Sequence, residues 1–238
     1  MRGHKAALLV FLGLVLTGCA STQPGAVNDP YEQTNREIFK FNQKVDRNVL
    51  LPVAKAYVAV VPKPARNGLH NFFTNLDLPV TFANDVLQGE ATRASQTFGR
   101  FGVNSTLGLG GLFDVASSFG IPSHSEDFGQ TLAVYGVGAG PYLVLPILGP
   151  DNPRDATGQI ADIFMDPLFW ISWRSSGYWK IGEGVLSGVD LRAQNIDTLA
   201  GIERTSVDYY ASLRSLYNQM RENEIRNGKA NTEDLPDF

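Results

Sequence analysis

The chain has 238 residues, 43% hydrophobic and 18% charged, with one cysteine and a formal net charge of −4. That length supports a buried core, and the apolar fraction excludes a disordered chain. The acidic balance speaks against a nucleic-acid binder, which presents a basic face, and a lone cysteine excludes internal disulfides and cysteine-based zinc clusters.

Residues 1–18 read as a secretory signal. Arg2, His4 and Lys5 form a basic start, and the uncharged run from Ala6 to Leu16 is too short to span a bilayer. It ends in Leu16-Thr17-Gly18-Cys19, which resembles the lipobox of bacterial lipoproteins. In that class the cysteine thiol receives a diacylglycerol, the signal is cut before it, and the new amine is acylated. The alternative is an ordinary signal with a chance cysteine, but Cys19 is the only cysteine in the chain. Each buried methylene of such an anchor contributes ~0.8 kcal/mol, so three acyl chains hold the protein on a membrane. Ala20 and Ser21, where retained lipoproteins carry Asp, favour the outer membrane. Residues 19–28 form a small, polar tether, and residues 29–228 the body.

Asp29-Pro30 predicts a helix start, with Asp29 as N-cap and Ile38, Phe41, Val45 and Val49 at helical spacing behind it. Pro52 is expected to interrupt that pattern, and Pro62 and Pro64 to end the next apolar segment. Two short helices follow, Leu69 to Leu76 and about Pro79 to Gln88, the second stopped by Gly89. From Gly99 to Gly149 the chain holds 11 of its 24 glycines, which disfavours long helices.

Phe128 to Pro150 contains no charged residue, yet its five glycines and three prolines argue against a spanning helix. Thr131 to Tyr135 and Tyr142 to Leu148 read as a β-hairpin around the turn GVGAGP. Its glycines, Gly136, Gly138 and Gly140, followed by Pro141 and Tyr142, make it the candidate movable gate; a static hairpin closing the core is the other reading. Near the C-terminus, Tyr210, Leu213, Tyr217 and Met220 mark a helix that Asn227-Gly228 terminates, and residues 229–238 are a polar tail. The expected fold is mainly α, a single helical domain with one hairpin.

Catalytic signals are sparse. His70 reads as a packed or hydrogen-bonded residue, and His124, in PSHSEDFG, as exposed. No G-x-S-x-G elbow, H-E-x-x-H pair or G-K-[ST] phosphate loop is present, so the sequence argues against an enzyme and offers no metal or cofactor site. The aromatic cluster says more. Trp170, Trp173 and Trp179 lie within ten residues, with Phe164, Phe169 and Tyr178 around them. Tryptophan favours the membrane–water boundary, and the anchor tilts the reading from a core cluster towards a membrane-interface face at Phe169, Trp170, Trp173 and Trp179.

The stretches DPYEQTNREIFKFNQKVD, NFFTNLDLPVTFANDVLQG, RFGVNSTLGLGGLFDVA, EDFGQTLAVYGVGAGPYLVLPILGP and DYYASLRSLYNQMRENEIRNG resemble the VacJ/MlaA phospholipid-binding lipoproteins. The resemblance implies a ring-like helical body, membrane-embedded in the periplasmic leaflet of the outer membrane. Through its central channel, misplaced phospholipids leave the outer leaflet for a periplasmic lipid carrier of the MlaC type, which preserves lipid asymmetry. It also implies association with a trimeric porin. A structural lipoprotein that scaffolds a porin, and less readily a periplasmic lipid hydrolase, are the alternatives.

Overall fold

The computed structural model describes residues 28–172 and 178–229. The signal, Cys19, most of the tether, Trp173 and nearly all of the tail therefore lie outside the described residues.

Helix α1, Glu32–Val45, opens the body. Asp29 does not cap it. Its carboxylate instead accepts from Asn35 Nδ2 at 2.8 Å, Tyr210 Oη at 2.6 Å and Arg214 Nη1 at 2.6 Å, which ties the two ends of the body together. Nor does Pro52 stop the helix: α1 continues through a π-helical turn, Asp46–Leu50, into α2, Leu51–Val60. A proline ring collides with the carbonyl four residues back, and the widened turn just before Pro52 relieves that collision.

The next two expected helices are one. Helix α3 runs unbroken from Lys63 to Leu87 with Pro79 inside it, and Gly89 follows at φ 76°. Its buried residues, Phe73, Asn75, Leu78, Thr81, Asn84 and Asp85, keep helical spacing across the proline. The face they form packs along α4, Ala91–Thr106, and this burial outweighs the ~3 kcal/mol an interior proline costs. Gly99 and Gly102 sit inside α4, so glycine content did not prevent a long helix there.

After the short α5, Val115–Ser118, the expected hairpin is displaced. Phe128–Val134 is helix α6, because Asp127 Oδ1 caps it by accepting from the Gln130 N–H at 2.9 Å. The strands are β1, Leu143–Leu145, and β2, Gly149–Asp151, antiparallel in the register Leu143↔Asp151, Val144↔Pro150 and Leu145↔Gly149. The turn is thus Pro146-Ile147-Leu148, and GVGAGP is the loop that leads in. Two asparagines seven residues apart on α1 hold β1. Asn35 donates to Tyr142 O at 3.0 Å and accepts from Val144 N at 3.0 Å, and Asn42 does the same with Leu145 O at 2.9 Å and Ile147 N at 2.7 Å.

The chain then forms α7, Pro153–Met165, α8, Pro167–Ser172, α9, Tyr178–Gln194, α10, Ile196–Thr205, and α11, Tyr209–Ile225. Asn152 and Asp208 cap α7 and α11 through the N–H groups of Asp155 and Ala211. Asn227 and Gly228, both at positive φ, end α11 as expected. The architecture is mainly α with one short antiparallel hairpin. Its hydrophobic core is small: Tyr142, Val144 and Tyr210, with Ile38, Phe39 and Tyr217 against them.

Candidate functional site

Soluble proteins put apolar groups inside and polar groups out. Here the distribution is inverted. Among the described residues ten hydrophobic side chains are buried against eighteen polar or charged ones, while thirty-one large hydrophobics are exposed. The exposed ones include Phe82, Phe98, Phe101, Leu107, Leu109 and Phe113, all on α3, α4 and the loop after α4. An apolar exterior this extensive is a surface for something other than water. No helix of the described residues is long and apolar enough to cross a membrane.

The buried polar groups are organised into networks. In one, a cavity of about 100 Å³ is lined by His70, Asn71 and Asn75 of α3, Arg100 and Asn104 of α4, and Asp114. Arg100 donates to Ile121 O at 2.6 Å, Ser117 Oγ at 3.2 Å and Asp114 Oδ1 at 2.8 Å. Burial works to raise the Asp114 carboxyl, but hydrogen bonds from Ser117, Arg100 and Asn104 outweigh it and bring it down to about 2. Asn75 gives its Nδ2 to Ser105, and its Oδ1 is buried without a partner. Gly111, at φ 95°, lies so close that a Cβ would come within 2.5 Å of the Asn75 Cβ, so only glycine closes this wall.

A second network surrounds Asp85, which is fully buried. Thr97 Oγ1 donates to it at 2.6 Å, and His124 Nε2 lies 3.1 Å from both carboxylate oxygens. Arg93 completes the cluster by bonding Glu126 at 2.5 Å. His124 is therefore largely enclosed, with a side chain 10% exposed, and not exposed as the sequence suggested. The arrangement is not a catalytic triad. The same ring nitrogen meets both the carboxylate and the hydroxyl at 3.1 Å, whereas a relay needs them on opposite sides of the ring. His70 makes the hydrogen bonds expected of it, to Asp190 at 3.2 Å and Gln194 at 2.8 Å.

A third network centres on Arg221 of α11. It binds Asp127 through two parallel bonds of 2.6 and 2.7 Å and reaches Asp155 at 2.8 Å. Tyr217 Oη and Arg154 Nε also donate to Asp155, each at 2.9 Å.

The candidate gate is divided by the structure. Gly136 and Gly140 have the positive φ expected of hinge positions, 84° and 76°, whereas Gly138 does not, and the loop from Gly136 to Gly138 is exposed. Pro141 is half-buried, and Tyr142 is anchored in the core, edge-on to Tyr210 and Tyr217 at centroid distances of 6.2 and 5.9 Å. Tyr142 is thus packed in the core, unlike the exposed glycines before it. The aromatic cluster also resolves in part. Phe164, Phe169 and Trp170 stack edge to face at the α7–α8 corner, and Trp170 is 59% exposed with Nε1 satisfied by Phe164 O at 2.9 Å. The side chains of Trp173 and Trp179 lie outside the described residues.

Sequence reasoning missed Asn35, Asn42, Asp85 and Arg221. A signal was present for the first two: asparagines in the same stripe as Ile38 and Phe39, where a helix buries apolar groups.

The family model described as MlaA lipoprotein matches residues 27–224. The chain is 40% identical to the intermembrane phospholipid transport system lipoprotein MlaA of Haemophilus influenzae, over 98% of this chain and 96% of that protein. It is 41% identical to the protein of the same description from Escherichia coli K12, over 90% and 85% of the two chains. A solved chain from work on the structural basis for maintenance of bacterial outer membrane lipid asymmetry superposes with a TM-score of 0.75. It shares 38% identity and covers 83% of this chain and 98% of its own.

Proposed function

The chain belongs to the MlaA lipoprotein family, and we propose that it moves misplaced phospholipids out of the outer leaflet of a bacterial outer membrane. The observation that carries this reading is the inverted distribution of polarity. A phospholipid needs a wet, polar path for its headgroup and an apolar environment for its tails. Polar networks enclosed by helices supply the first, since irregular polar structure is tolerated at membrane depth only where protein covers it. The exposed apolar faces of α3 and α4 supply contact with lipid around the body.

In this proposal Cys19 carries the lipid anchor, and the body sits ring-like on the periplasmic side around a central channel. The exposed loop Gly136–Gly140 is the movable element beside a clamped hairpin. A periplasmic carrier of the MlaC type receives the lipid, and a trimeric porin is the lateral partner.

The test is transfer. Lipidated full-length protein is placed in phosphatidylethanolamine–phosphatidylglycerol vesicles containing a fluorescent phospholipid, with the periplasmic carrier as acceptor. Transfer well above the protein-free rate supports the reading. Stable anchoring with transfer at the protein-free rate leaves a structural lipoprotein, and release of lysolipid or fatty acid a hydrolase.

A further inference from the structure

A second cavity, about 420 Å³, opens on the other side of α1. Phe39, Leu50, Ile147, Leu199, Tyr209 and Leu213 make its apolar walls, and Arg47, Lys55 and Arg192 are its cations, against Asp46 and Glu203. None of the polar chamber described above contributes to it.

Three independent features of the fold meet there. The π-helical turn Asp46–Leu50 supplies one wall, and such turns are frequent at functional sites. The hairpin tip supplies another through Ile147, a β-branched residue held at φ 69°, 75% exposed, with its N–H bound by Asn42. That conformation is strained for isoleucine, and strain of this kind collects at binding sites. The third is an unserved donor. Arg192 gives Nε and Nη2 to Asp46 at 2.7 and 3.0 Å, while its Nη1 is buried without a hydrogen bond. A buried donor left unpaired costs about 1–3 kcal/mol, so an acceptor brought by a ligand is favoured. Lys55 makes no ion pair among the described residues, and Arg47 is paired with Glu203.

We propose that this groove seats one acyl chain and the phosphate of a glycerophospholipid, a site distinct from the polar chamber; the inference rests on the phospholipid reading above. The cavity, about 420 Å³, holds roughly fourteen methylene-sized groups at ~30 Å³ each, the scale of one tail. The charge favours an anion: Arg192 Nη1 and Lys55 are donors left over once Asp46 and Glu203 are paired, and phosphate oxygens accept from such groups. The second tail would remain in the surrounding lipid.

The experiment uses the full-length lipidated protein in dodecyl maltoside micelles that carry a trace of phospholipid with a diazirine at one acyl terminus. After irradiation, adducts are mapped by mass spectrometry. The expected result is saturable labelling of peptides containing Leu199 or Leu213, displaced by unlabelled phospholipid at least tenfold more effectively than by palmitate. Ala200→Phe, which fills the groove from an exposed position, should cut these adducts fivefold or more, and Lys55→Gln about threefold. Neither should change the unfolding midpoint or the labelling of other surfaces.

Labelling elsewhere with none in the groove overturns the proposal, as does groove labelling that Ala200→Phe leaves unchanged. Equal displacement by palmitate also overturns it, because the groove then reads a fatty-acid carboxylate. The transfer assay separates the two readings: transfer without groove adducts removes this site alone, and groove adducts without transfer remove the transport function alone.

Discussion

Arg221 shows what a buried cation does in a body with so little apolar core. It joins α11 to the cap of α6 through Asp127 and to the first turn of α7 through Asp155. Burial raises both carboxyls, and the hydrogen bonds from Arg221 outweigh it, so Asp127 lies below its ordinary value and Asp155 falls to about 2. Arg221→Ala would leave the buried Asp155 with Arg154 alone and take the bidentate partner from the partly exposed Asp127, a loss of about 1.5–3 kcal/mol. Arg36, whose partners Glu32 and Asp208 are largely exposed, should cost under about 1 kcal/mol when replaced by alanine. Chemical denaturation of the two variants in detergent micelles checks the contrast. Acid should act through the same site. Carboxyls whose folded values lie below the unfolded 3.8 stabilise the protein above about pH 4 and lose that contribution as pH falls towards 2. The unfolding temperature should therefore drop through that window, and drop less in Arg221→Ala. An equal drop in both would place the acid sensitivity elsewhere.

The hairpin illustrates how far elements can be read from the chain. The helical stretches with clear apolar spacing, such as α11, were legible, and so was the existence of a single hairpin. Its position was not, because the deciding contacts lie outside the segments themselves: Asp127, just before it, caps Phe128–Val134 as helix, while Asn35 and Asn42 reach more than a hundred residues along the chain to hold β1. Pro52 and Pro79 misled for the same reason, since a π-helical turn and a packed helix face absorb them. Of the candidate site, the glycine loop and Trp170 could be found by composition. The polar networks could not, because no local pattern announces that Asp85 meets His124. The asparagine pair makes a prediction at this scale. Asn35→Ala removes two hydrogen bonds from buried backbone groups and should raise amide exchange at Val144 by at least tenfold, with a stability loss of about 1–3 kcal/mol. Asn42→Ala should do so at Ile147. Gly136→Ala with Gly140→Ala strains the loop where φ is positive and should slow phospholipid transfer while leaving anchoring intact. Unchanged transfer would show the loop to be passive.

Across the whole molecule, the balance of polar interior and apolar exterior makes water a poor solvent for this fold. The thirty-one exposed large hydrophobics are spread over α3, α4, α7 and α9 as well as the loops. At about 25 cal/mol per Å² of apolar surface removed from water, covering even part of them with lipid contributes more than any single hydrogen bond in the body. In the proposed reading, a lipid anchor at Cys19 adds to the attraction that these exposed apolar faces have for lipid. Trp170 offers the direct measurement, because its indole N–H is satisfied internally and its ring, stacked against Phe164 and Phe169, is otherwise exposed. In a variant that retains Trp170 but carries Trp173→Phe and Trp179→Phe, brominated phospholipids should quench fluorescence strongly, and aqueous iodide weakly. A charge should have the complementary effect. Phe98→Lys and Phe113→Lys, both on exposed positions, should leave the fold intact in detergent yet reduce retention on vesicles once Cys19→Ala removes the anchor. Strong iodide quenching together with unchanged retention would mean that these faces meet a protein partner and not lipid.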